Sequence, residues 1–113
     1  MTGEAKLQGT VMYMSPEHIR RDPDISFRSD LYSLGALLYE TLTGTTPFQG
    51  DIVQSLLEQI RIDMPPDPRA VCKYDVPGVL AELSMRCLQK DPEDRPESAE
   101  ELVRIIRNDW LNR

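Results

Sequence analysis

The sequence predicts an all-α domain, as it stands, of about five helices. Apolar residues recur at three- and four-residue spacing in separate stretches, and no stretch gives a convincing period of two. Capping residues open most of these stretches, and Gly or Pro closes several of them. A chain of 113 residues holds one modest core, so one domain over residues 1–113 is expected.

Residues 1–14 show no helical period and read as loop or extended chain. At Ser15-Pro16-Glu17 the chemistry changes. Ser is a good N-cap, Pro suits the first helical position and Glu favours the positive end of the helix dipole. A short helix through about Arg21 follows, stopped near Pro23. Residues 28–44 form the next helix, capped by Ser29 or Asp30 and ended by Gly44. Its leucines and tyrosines do not share one stripe, and a helix that is apolar nearly all round must be covered on nearly all sides.

After the turn at Thr45-Thr46-Pro47-Phe48, Asp51 is expected to cap an amphipathic helix over 51–60. Ile52, Val53, Leu56, Leu57 and Ile60 should face inward there. Residues 63–77, with Pro65, Pro66, Pro68 and Pro77, read as an irregular connector. A fourth helix over 77–88 buries Val79, Leu80, Leu83, Cys87 and Leu88. A polar loop then leads to Ser98 and Glu101, the spacing of a capping box. The last helix should turn Leu102, Val103, Ile106 and Trp110 inward.

A net charge of −6 opposes a nucleic-acid or anionic-membrane surface. No apolar run approaches the length of a membrane span, and no secretory leader is expected. Two cysteines, Cys72 and Cys87, and the lone His18 are too few for a zinc site with ordinary spacing. Two free thiols in a cytoplasmic protein are expected instead.

Catalytic constellations are scarce. The glycines never stand as a phosphate-cradling G-x-G-x-x-G, and His18 has no Ser-His-Asp set around it. Composition and periodicity alone lead no further than a small helical domain.

Three motifs in order lead further. "GTVMYMSPE", residues 9–17, resembles the end of the activation segment of eukaryotic-type (Hanks-type) serine/threonine protein kinases. "RSDLYSLGALLYETLTGTTPF", residues 28–48, resembles the long central helix of the kinase C-terminal lobe. "CLQKDPEDRPESAEEL", residues 87–102, resembles the family's late loop with its Asp-Pro and Arg-Pro. Tyr32, where many animal kinases carry Trp, leans toward bacterial members.

The resemblance implies roles. Thr10 would support the catalytic Asp and the acceptor hydroxyl, and Val11, Met12, Tyr13 and Met14 would form the pocket beside the phosphoacceptor. Glu17 would pair with Arg95, and Asp30 would hold the catalytic-loop backbone. Thr2 is a candidate phosphosite, with an unremarkable loop Thr as the alternative. Residues 1–14 would be the end of the activation segment and 15–113 the C-terminal helical subdomain of the kinase fold.

The sequence has no Gly-rich loop, anchoring Lys, His-Arg-Asp loop or Asp-Phe-Gly motif. A kinase cut within its activation segment is therefore expected, with the N-lobe and catalytic loop missing. Such a chain would bind neither ATP nor Mg²⁺, which the intact family uses, and would be inactive alone. Its expected partners are the missing N-terminal half and protein substrates, met by the segment end and residues 51–60. A reading from another class is a non-catalytic module that docks kinase substrates or regulators.

Overall fold

The computed structural model describes residues 9–112. Every regular element among them is helical, and none of their helices is long and apolar enough to cross a membrane. Residues 9–11 are already helical, where the sequence suggested loop or extended chain. Ser15 then caps α1, Pro16–Arg20, by accepting from the His18 N–H at 3.2 Å. Pro16 fills the first helical position, and Arg21 closes the helix in the left-handed region at φ 57°.

Helix α2, Phe27–Thr43, starts earlier than the sequence suggested. Its N-cap is Ser26, which accepts from the Arg28 N–H, and not Ser29 or Asp30. Gly44 ends it at φ 80°, where a side chain would be strained. One face of α2 buries Leu31, Tyr32, Ala36 and Tyr39, but Phe27, Leu34 and Leu37 are 45–53% exposed.

Helix α3 is Val53–Ile62. Ile52, not Asp51, takes the N-cap position, with no side-chain bond to the helix. Extended backbone there leaves the Ile52 side chain in solvent, against expectation, while Leu56 and Ile60 are buried. The proline-rich connector contains one helical turn, α4, Pro68–Val71, that the sequence reading does not include. Asp67 supplies its cap by accepting from the Arg69 N–H at 2.8 Å, and Pro68 fits the first position.

Helix α5, Gly78–Cys87, lies against α2. Gly35 permits this approach, since a Cβ there would stand 2.5 Å from the Cys87 Cβ. A 3₁₀ turn at Pro92–Asp94 precedes α6, Ala99–Ile105, which runs on as a π turn over Ile106–Leu111. Ser98 caps α6 by accepting from the Glu101 N–H at 3.0 Å. The Glu101 carboxylate reaches back to the Glu97 N–H, one residue beyond the N-cap N–H that a true capping box would use.

No residue of α6 is fully buried, and Val103 is exposed, so the inward face expected there needs correction. Ile105 instead sits with Val79 and Leu83 of α5. The core gathers Val11, Tyr32, Ala36, Tyr39, Phe48, Leu56, Ile60 and Leu88 from five separate stretches of chain.

Candidate substrate-side site and its anchor

Glu17 stands in the first turn of α1, and Arg95 follows the 3₁₀ turn. They lie 78 positions apart in sequence, yet they form a fork-to-fork pair. Arg95 Nη1 donates to Glu17 Oε2 at 2.6 Å, and Nη2 donates to Oε1 at 2.9 Å. Both residues are buried, at 1% and 4% exposure.

Burying two charges is costly unless every remaining donor and acceptor is met. Here they are met. A guanidinium has five N–H donors, and Arg95 makes three further bonds besides those to Glu17. Nε donates to the Gln89 carbonyl at 2.8 Å, Nη1 to the Arg28 carbonyl at 2.8 Å and Nη2 to the Lys90 carbonyl at 3.2 Å. The guanidinium also lies 5.1 Å from the centre of the Tyr32 ring. Ser29 donates to Glu17 Oε2 at 2.7 Å.

Burial by itself would raise the Glu17 carboxyl. The hydrogen bonds from Arg95 and Ser29 outweigh it and hold the group at about 2. The carboxylate is therefore ionised at neutral pH. The anchor joins α1, α2 and the loop before α6.

The segment before the anchor is fastened along its length. The Val11 side chain is 4% exposed and packs in the core, so it faces away from any acceptor on the surface. Met12, Tyr13 and Met14 are half-buried against that core. The Tyr13 carbonyl accepts from the Ser33 hydroxyl. The Tyr13 hydroxyl donates to the Glu40 carboxylate, and that bond, followed by burial, raises the phenol above its ordinary range. Thr10 is exposed.

Asp30 is also exposed, at the edge of a shallow apolar hollow that it shares with Tyr13, Ser33, Leu34 and Leu37. Thr2 lies outside the described residues. The structure thus brings Glu17 and Arg95 together and sets Asp30 beside Tyr13.

Sequence reading missed three partners. Ser29, offered by the sequence with Asp30 as a cap of the long helix, instead bonds Glu17. Glu40 carries no motif signal in the sequence, yet it holds Tyr13. Lys90 falls in the polar loop of the sequence, yet burial lowers its amine to about 8 against the pull of Asp63. Only the heptad-like offset of Ser33 and Glu40 on α2 gave a hint, by placing both on one helix face.

A helical lobe whose Ser-Pro-Glu turn is riveted by a buried Arg from a late loop defines a class of protein. The protein kinase domain family matches residues 2–111, and the chain belongs to that family. It is 36% identical over 109 residues to the serine/threonine-protein kinase PknD of Protochlamydia amoebophila, covering 96% of this chain and 11% of that protein. It is 41% identical over 103 residues to PknB of Mycobacterium tuberculosis, covering 90% and 16%. A third relative, the serine/threonine-protein kinase pkn3 of Myxococcus xanthus, is 39% identical over 93 residues, with 81% and 17% covered. These relatives are bacterial serine/threonine kinases, and the chain spans less than a fifth of their length.

Kinases of this family use ATP and Mg²⁺. Among the described residues no group of three or more His, Cys, Asp or Glu is placed to hold a metal ion, and the sequence has no G-x-G-x-x-G spacing.

Proposed function

We propose that this chain supplies the acceptor side of a serine/threonine protein kinase. In that reading the intact enzyme transfers the γ-phosphoryl group of ATP to Ser or Thr of a protein. Residues 9–17 present the acceptor, and the helical lobe holds them in place. Met12, Tyr13 and Met14 flank the residue beside the acceptor, while Thr10 and Asp30 face the catalytic loop. Residues 51–60 dock the protein substrate. By itself the chain neither binds Mg²⁺-ATP nor transfers phosphate. We place the activity in the cytoplasm, which the free thiols Cys72 and Cys87 support.

The observation that carries this reading is the buried Glu17–Arg95 pair. Phosphoryl transfer depends chiefly on positioning and electrostatics. A bidentate pair has one geometry, so it fixes where the segment ends.

A chimera tests the reading. Residues 9–111 replace the matching stretch of mycobacterial PknB, and transfer to a generic Ser/Thr acceptor protein is followed with radiolabelled ATP. The chimera should transfer phosphate, and Arg95→Met within it should lower the rate about 100-fold. A folded chimera that binds ATP yet transfers nothing would contradict the proposal.

A further inference from the structure

Lys90 belongs to neither the ion pair nor the acceptor segment, yet it touches the supports of both. Its ammonium donates to the Ile60 carbonyl in the last turn of α3 at 2.5 Å. The same ammonium lies 4.7 Å from the centre of the Phe48 ring, a cation–π distance. Its own carbonyl accepts from Arg95 Nη2. One residue thus grips the carboxyl-terminal end of α3 with its side chain and Arg95 with its backbone.

The site suits a cation. The end of α3 carries the negative pole of the helix dipole, and Asp63, the C-cap, adds a carboxylate nearby. Phe48 and Ile60 are both buried core residues, so the grip is on rigid ground.

We propose that Lys90 is a positioning residue for Arg95, tying the end of α3 to the loop whose carbonyls aim the guanidinium at Glu17. Two of the three backbone acceptors of Arg95 are the adjacent carbonyls of Gln89 and Lys90. Their direction depends on the backbone at Lys90, and the long side chain fixes that backbone against α3. Lys90 thus adds a side-chain link from α3 to Arg95 beside the direct packing of α3 on α1. The proposal goes beyond the kinase reading and does not rest on it.

The charged groups facing the ammonium are Asp63 from the end of α3 and Arg95 from the loop. Burial, with the Arg95 charge acting in the same direction, outweighs Asp63 and brings the amine to about 8, where NMR can titrate it in the folded chain.

The test uses the whole 113-residue chain. Hydrogen exchange is measured at Arg95 Nε–H and at the Tyr32 amide, which reports on the core. In Lys90→Met the ratio of the two rates should rise about tenfold. Lys90→Arg should restore most of the protection, and Lys73→Met, at an exposed site, should leave the ratio unchanged.

A folded Lys90→Met with the wild-type ratio would overturn the proposal, since loss of general stability moves both sites together. Should that variant not fold, the wild-type chain decides. As pH rises through about 8, the Lys90 Cε and Arg95 Cζ shifts should move with one midpoint. An Arg95 signal that stays flat while Lys90 titrates would overturn the proposal as well.

Discussion

Arg95 spends every N–H it has on an acceptor inside the protein. That saturation makes the residue hard to replace. Lys has one compact ammonium and cannot match two carboxylate oxygens and three carbonyls in a plane. Glu17→Gln keeps the shape of the acceptor but leaves a buried guanidinium without its counter-charge. It should cost about 3–5 kcal/mol, the usual penalty for breaking a buried pair from one side. Urea unfolding of the two proteins at neutral pH measures this. A loss below about 1 kcal/mol would mean that the pair behaves as an exposed one.

Helix α2 shows how elements depend on single residues at their crossings. Its approach to α5 leaves no room for a methyl group at Gly35. A Cβ there would meet the Cys87 Cβ at 2.5 Å and the Cys87 backbone carbon at 3.3 Å. Backbone atoms cannot swing aside, so the helices must part. Gly35→Ala gains helix propensity yet should still destabilise by about 1–3 kcal/mol, seen as a lower melting temperature. An unchanged or higher melting temperature would show that the crossing is loose.

The helix positions were largely legible in the sequence, because Ser15, Gly44 and Ser98 act locally and their signals are local too. The misreadings arose where tertiary contacts intervened. Ser29 has the chemistry of a cap, but its hydroxyl is engaged by Glu17 from another helix. Val103 keeps a helical period with Leu102 and Ile106, but α6 meets only part of the core, and the apolar stripe turns past it. Of the candidate site, the motifs named Glu17 and Arg95. The carbonyls that complete the anchor left no trace in the sequence, since any residue can supply one.

At the scale of the whole molecule, two features stand out: an uncovered face and a long-range tie. Phe27, Leu34 and Leu37 run along α2 with about half of their surface in water. An apolar strip of that kind drives association. The 113-residue chain should therefore sediment as concentration-dependent oligomers, and the double variant Leu34→Glu, Leu37→Glu should shift it toward monomer. A wild-type chain that stays monomeric at all concentrations would contradict this.

The tie is the central claim, because it joins the acceptor segment to a loop 78 positions away. Its most direct measure is an NMR titration of the Glu17 side-chain carboxyl. The group should stay ionised below its usual 4.5 and titrate at about 2. A carboxyl lowered in the folded state contributes stability that is present above 4.5 and lost as pH falls toward 2. Unfolding free energy should therefore decline over that same window. A Glu17 midpoint near 4.5 in the folded chain, with no matching loss of stability in acid, would contradict the account.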